Sequence, residues 1–444
     1  MKTRRWLVII IVALMVLAFG WLLVILKSGS NVERYKAALR ARGEKISFDE
    51  LGYPLAPESG TNLSQFTNAV KRIKAGKYAP GSLYLMESTS PGHARVLARG
   101  DKVQLGQTGS YSARTNQTMS WPEFNDELLR VGQDLEDIRT TLQSPFRCYV
   151  FNPTNVPFSR IPIFVQMRQA AQWLSADAVG ALHARDRARA RSDLHALANL
   201  VDWNKEDPTL VSHMIRVAIG GLQVATTWEA LQAPGWTEEE LAELQKDFER
   251  ADFLDAIERG MTTERASMEQ IIIYIHRDGA AWVSRSFGIS KPPTNLKDKF
   301  TELGGAMLWR LTADDNELVM LQHDQGMLDE IRKLRTGATT WPASDAVLKA
   351  SLAGFNAKFN GLGRFRYTIA AVAIPNFSKA LSVSVQRETE RRLTVTAIAL
   401  RRYESRHGKP AESLKALVPE FLSAVPMDPM NAKPLGYVLK PELG

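Results

Sequence analysis

The stretch that decides the fold runs from Ser120 to Leu142, SWPEFNDELLRVGQDLEDIRTTL. Ser120 with Glu123, and Pro122 in the first turn, marks a helix start: the hydroxyl and the carboxylate each accept an N–H that the first turn leaves without an intrahelical partner. Trp121, Phe124, Leu128, Val131, Leu135, Ile138 and Leu142 then recur at alternating steps of three and four. A helix turns about 100° per residue, so this spacing gathers them into one narrow apolar stripe. Such a stripe needs a cover. About three heptads are few for a coiled coil between copies, so the spacing predicts a partner helix in the same chain.

Similar periodicity extends downstream. Ile163, Met167, Ala170, Leu174, Ala178 and Ala181 form one face, and Leu194, Leu197 and Leu200 the next. Asp207 and Pro208 read as the N-cap and first position of a helix ending near Leu231. Thr237 with Glu240 is a second capping box, and Glu238 and Glu239 suit the positive end of a helix dipole. Pro292 and Pro293 break the pattern, which resumes near Asn295 and Ala343. Pro375 opens the last long helix, which ends at His407 with Gly408 as its cap and Arg401, Arg402 and Arg406 near its negative end.

Upstream, residues 28–120 read as irregular. Pro54, Pro57, Pro80 and Pro91 restrict helix to short pieces such as Val32–Arg42, while Ser82–Met86 and Val103–Leu105 permit small strands. No fixed-period repeat stands out. The expected fold is mainly α: an N-terminal transmembrane helix, an antiparallel helical array and a small irregular or β-containing C-terminal tail. Residues 1–27 would be cytoplasmic tail and anchor, 28–120 an irregular juxtamembrane region, 121–374 the helical domain, and 375–444 the long helix with its tail.

The anchor is Trp6–Leu26, which carries no charged residue. As a helix it would extend roughly 31 Å, the thickness of a bilayer's hydrocarbon core. The run is longer than the apolar core of a cleaved signal, so it is expected to persist rather than be cut near Ser28 to Ser30. Lys2, Arg4 and Arg5 precede it. A long domain after such a segment is translocated largely regardless of its own charge, which puts the bulk of the chain outside the cytoplasm and the anchor in the inner membrane.

Composition closes several classes. The chain is 45% hydrophobic and 23% charged, as ordinary globular protein is, and Lys2, Arg4, Arg5 and Lys27 supply half of its net +8. One cysteine, Cys148, excludes an internal disulfide, a paired-cysteine redox site and a multi-cysteine zinc site; between Phe146 and Tyr149 it reads as a small buried hydrophobe. His183 and His195 are more than three turns apart on one helix, too far to share a metal unless a hairpin brings them together. Arg185, Arg187, Arg189 and Arg191 divide between two helix sides with Asp186 and Asp193 among them. That pattern is a solvated surface rather than a phosphate-tracking stripe, and no nucleic acid is expected. No catalytic, cofactor-binding or metal-binding residue is assigned, and the reading leans away from an enzyme.

The tail carries Tyr403, His407-Gly408, Pro410, Ser413-Leu414, Leu417-Val418-Pro419, Phe421-Leu422, Val425-Pro426, Asp428-Pro429, Pro434-Leu435 and Tyr437 in that order. This resembles the helix-to-sheet segment of type II secretion pseudopilins, over about a tenth of the chain. Trp6–Leu26 lacks the peptidase site and the Glu that open a pseudopilin, and no acidic calcium loop precedes Gly444. With its anchor and helical middle the whole chain is similar to anchored bacterial envelope proteins. The resemblance makes Tyr403, Gly408, Pro419, Asp428, Pro429 and Tyr437 a structural motif, and implies no activity. Asp428 is expected to cap a turn before Pro429, and Tyr437–Leu439 to permit a strand. The expected role is a structural or interaction component of the envelope, its protein partner unspecified. The alternatives are an accessory of a type II secretion or pilus-like system, and an envelope hydrolase whose groups meet only in space.

Overall fold

A computed structural model describes residues 28–53, 61–73, 83–90, 93–105, 117–143, 163–203, 205–278, 294–361, 363–374 and 377–439. The helices are α1 (28–41), α2 (Phe48–Leu51), α3 (Thr61–Ile73), α4 (Trp121–Arg130), α5 (Gly132–Gln143), α6 (Phe164–His183), α7 (Arg187–Trp203) and α8 (Leu210–Leu231). They continue as α9 (Glu238–Glu249), α10 (Phe253–Asp278), α11 (Leu296–Thr336), α12 (Trp341–Lys358), α13 (Gly363–Arg366), α14 (Thr368–Ala373) and α15 (Phe377–His407). Three small antiparallel pairs complete the fold: β1 (Glu87–Ser90) with β2 (His93–Arg95), β3 (Val103–Leu105) with β4 (Gln117–Met119), and β5 (Met427–Asp428) with β6 (Lys433–Pro434).

The stretch from Ser120 to Leu142 forms two helices rather than one. Both bonds of the Ser120–Glu123 capping box are made. Val131 departs from helical geometry at φ −103° and ψ 5°, and the chain restarts at Gly132, a poor helix former that makes a break inexpensive. The stripe survives the break. Trp121, Phe124, Leu128, Val131, Leu135, Ile138 and Leu142 are all buried, in one core with Phe66, Val70, Leu97 and Val103. Their cover comes from the same chain, with α3 and α7 beside α5 and α6 beside α4. Gly180 permits that last approach, because a Cβ there would stand 2.6 Å from Leu128 Cδ1.

Helices α6 to α10 follow one another through short connections; α6 packs on α7 and α7 on α8, while α9 packs on α7 and α10 on α8. The α6–α7 turn is so short that the two must run antiparallel. Helix α15 returns alongside α8 in the same direction: His213 Nε2 lies 3.0 Å from Ser384 Oγ, and further along Trp228 Nε1 donates to Thr394 Oγ1 at 3.1 Å. Helices α10 and α11 run antiparallel. His276 meets Asp314, Arg265 meets Gln325, Glu258 meets Arg332 and Asp255 meets Arg335, each step along one helix matched by an equal step back along the other.

Several local expectations are corrected. Thr209, not Asp207, is the N-cap of α8: its side chain accepts from Ser212 N, while Asp207 Oδ1 accepts from the Thr209 amide at 2.9 Å and hydroxyl at 2.7 Å. Residues 28–120, read as irregular apart from short pieces such as Val32–Arg42, hold α1 over that piece and, beyond it, α2 and the whole of α3. Tyr437–Leu439 is not a strand, the tail's short pair being β5 with β6. Helix α12 does begin near Ala343, at Trp341 behind its cap Thr340. Among the described residues no helix is long and apolar enough to cross a membrane; Trp6–Leu26, Cys148, Pro292, Pro293 and Pro375 lie outside them.

Candidate functional site

Helix α1, the first described element after the apolar N-terminal segment, lies along the α10–α11 pair and is attached to it by charge. Ser28 Oγ donates to Asp315 Oδ1 at 2.7 Å, and Arg42 Nη2 reaches Asp329 Oδ1 at 3.3 Å. The same spacing separates the members of each pair in the chain, so α1 and α11 run parallel in register. Between these ends Lys36 is buried with its ammonium 2.5 Å from Glu317 and 3.4 Å from Glu269.

Two buried carboxylates thus share one ammonium, and a net negative charge in an apolar setting favours uptake of a proton. Burial pushes Glu317 up to about 7, against the pull of Lys36 and helped by Glu269. Glu269 is raised by the same burial. Burial also opposes the charge on Lys36, but Glu317 and Glu269 together hold its pKa above the ordinary value.

Just beyond α1, Glu44 is the second fastening. Its carboxylate accepts from Arg332 Nη1 at 2.5 Å, Gln325 Nε2 at 3.0 Å and Arg265 Nη2 at 3.1 Å. Burial alone would raise Glu44, yet these donors hold it down to about 2. Arg265 is fully buried and also donates to the Lys45 carbonyl at 2.7 Å. Arg332 Nε turns to Glu258 at 2.7 Å, completing the chain of charges across α10 and α11. A buried charge is tolerated only when paired and hydrogen-bonded, and each member here has that partner. The seam fixes the geometry of α1 against α10 and α11.

A second ionic cluster braces α5, α6 and α7. Arg139 Nε donates to Asp193 Oδ1 at 2.7 Å and its Nη2 to Asp177, while Arg189 Nε donates to Asp177 Oδ2 at 2.9 Å. Burial foremost, then Asp177, pushes Asp193 well above its ordinary range, with Arg139 working against them. Of the alternating arginines, Arg189 is spent here, Arg187 and Arg191 approach Glu240, and Arg185 sits in the α6–α7 turn at φ 61°. The charges of Arg187, Arg189 and Arg191 are answered by acids of the same chain.

Among the described residues, the half-exposed His195 pairs with Asp247 beside a groove, Nδ1 to Oδ2 at 3.0 Å. The groove, of about 560 Å³, lies between α7 and α9 and is lined by Arg191, Trp236, Lys246 and Arg250 among others. The hydrogen bond to Asp247 raises the His195 pKa, partial burial working against it. His183 is elsewhere, stacked on Trp121 at 3.7 Å with Nδ1 3.0 Å from the Ala98 carbonyl oxygen. The structure therefore does not bring the two histidines together. Among the described residues no group of three or more His, Cys, Asp or Glu side chains could hold a metal ion.

The six tail residues converge on one job. Tyr403 stacks on His407 at 4.1 Å and meets Phe421 edge-on at 5.8 Å. Gly408, at φ 66°, ends α15 in the left-handed conformation that glycine adopts without strain. Pro419 follows a cis peptide bond in the run that buries Leu414, Leu417, Phe421 and Leu422 against α9 and α15. Asp428 Oδ1 accepts from Met430 N at 2.8 Å, the turn cap expected of it, and the Pro429 carbonyl accepts from Trp341 N at 2.8 Å. Tyr437 donates its hydroxyl to the Ala411 carbonyl at 2.9 Å. All these contacts are internal fastenings. No protein-family model, no curated protein and no solved structure matches the chain.

Proposed function

We propose that this is a single-pass, membrane-anchored envelope protein whose helical body lies outside the cytoplasm and acts as a structural or interaction component. The observation that carries the reading is the seam. The apolar run Trp6–Leu26 delivers the chain directly into α1, and α1 is tied to α10 and α11 through Lys36 and Glu44. An anchor joined through buried ion pairs transmits position and force to the body, whereas a flexible tether would only confine it. The ionic groups are spent on one another, which suits a scaffold better than a catalyst.

The reading is tested with the full chain carrying Cys148→Ser and Val347→Cys, Val347 being 54% exposed on α12. A membrane-impermeant thiol reagent should label position 347 in intact bacterial cells with a permeabilised outer membrane. Labelling only after the inner membrane is broken would contradict it.

A second reading, an accessory of a type II secretion or pilus-like system, draws on the tail. Met427, Met430, Val438 and Leu439 are exposed there, beside the turn at Asp428. Co-purification of secretion subunits from detergent-extracted membranes, lost on substituting Met430 and Val438 by Ser, would move this reading ahead.

A further inference from the structure

Helix α11 carries four large apolar side chains in the open: Leu296 at 74%, Phe300 at 70%, Leu303 at 67% and Met307 at 61% exposure. Their steps of four, three and four put them on one line of the helix. Seven residues further along, that line reaches Asp314, and there the cover begins. A Cβ on Gly29 would lie 3.1 Å from Asp314 Oδ2, and Ser28 holds Asp315. The bare half of α11 is thus the half upstream of where α1 starts.

We propose that this line rests on the surface of an anionic phospholipid bilayer, the one that Trp6–Leu26 enters. Position is the first argument. Met307 is about 10 Å along the helix from Asp314, so a membrane entered just before Ser28 lies within reach of the line. Charge is the second. At about 100° per residue, Lys299 and Arg310 fall about 50 to 70° to one side of the apolar line, whereas Asp298 falls opposite. Asp298 is engaged at the helix start, accepting from Thr294 Oγ1 at 2.8 Å and Asn295 Oδ1 being 2.8 Å from its own amide. An apolar line flanked by long basic side chains is the arrangement with which a helix lies at a lipid interface, its cations reaching the headgroups. A second copy of the chain is a poorer occupant, since a stable pair buries roughly 1,200 Å² or more and four side chains over three turns are a small part of that.

The inference rests on the membrane reading above, and the test separates the two. The full chain with Cys148→Ser and Phe300→Cys is labelled with an environment-sensitive fluorophore and reconstituted into vesicles of phosphatidylglycerol and phosphatidylcholine, some carrying a headgroup-level nitroxide lipid; Val347→Cys is the control. Quenching at position 300 about threefold or more above that at 347 supports the proposal. A blue-shifted but unquenched label at 300 would mean that protein covers the line, and overturns it. An unshifted, unquenched label on protein that resists alkaline washing also overturns it while leaving the anchor reading intact. Protein washed off the vesicles defeats the anchor reading, and the lipid contact survives only if the label was quenched before washing.

Discussion

Glu44 and Arg265 are 221 positions apart in the chain and 3.1 Å apart in the fold, Oε2 to Nη2, with Arg265 fully shielded from solvent. The contact locks the segment after α1 onto α10. The consequence of losing a partner is unequal: Arg265 without Glu44 would be a buried charge without its counterion, whereas Glu44 without Arg265 would keep Arg332.

Removing Glu44 should therefore cost more than an ordinary surface pair. Glu44→Ala strands Arg265 and weakens Arg332, and breaking a buried pair in this way costs about 3 to 5 kcal/mol. Urea unfolding of the detergent-solubilised full chain reads it. Combining Glu44→Gln with Arg265→Met should recover part of the loss, since the orphaned charge is then gone. Additive losses would show that the pair is not coupled.

The Lys36 site makes stability depend on pH in the opposite sense from Glu44. Glu317 is raised to about 7, so folding takes up a proton there. Its contribution is fully present below the ordinary carboxylate value and is lost as pH rises towards about 7. Glu44, held down to about 2, contributes above the ordinary value and fails only as pH falls through about 2. Between pH 5 and 7 Glu317 should lower stability by up to about 1.4 kcal/mol per pH unit for its one proton, alongside the buried Glu264, which is also raised to about 7. Glu317→Gln should flatten that slope; an unchanged slope would assign it to other groups.

His195 should titrate above an ordinary histidine. Its hydrogen bond to Asp247 favours the protonated ring, so Asp247→Asn should lower the midpoint of its NMR titration. Because the ring is half exposed, melting temperature should change little.

The tail should behave as a clamp. Leu414, Leu417, Phe421 and Leu422 are buried against α9 and α15, and each large apolar side chain so buried contributes about 1.5 to 3 kcal/mol before ordering costs. Truncation after Gly408 should lower the melting temperature or cause aggregation, whereas Asp428→Asn keeps an oxygen that can still accept from Met430 N and should cost about 1 kcal/mol or less. A truncated chain that melts like the intact one but loses a partner would make the tail a recognition element.

What could be read in advance was local. The caps at Ser120 and Thr237, the helix start near Asn295 and the glycine stop at Gly408 were legible, because each is decided by residues within one turn. The break at Val131 was not, since the apolar stripe continues through it unchanged. Thr209 displaced Asp207 as a cap because both can accept an amide, and only the backbone path decides which does. The buried charges were hidden for a different reason. Asp193 looked like a surface acid among arginines, yet it is fully buried beside Arg139, 54 positions away. Two signals pointed that way. Asp177 is the lone charge in the apolar run from Ala176 to Leu182, and Arg265 falls four residues after Met261 and seven before Ile272, in line with core residues.

The central question is whether the N-terminal apolar segment stays with the body and holds it in a membrane. The direct measurement is intact-mass spectrometry of the protein that detergent releases from alkali-washed membranes. The prediction is a species at the full 49.5 kDa, containing Trp6–Leu26. Protein recovered in the alkaline supernatant, or a mature chain beginning near Asn31, would contradict it.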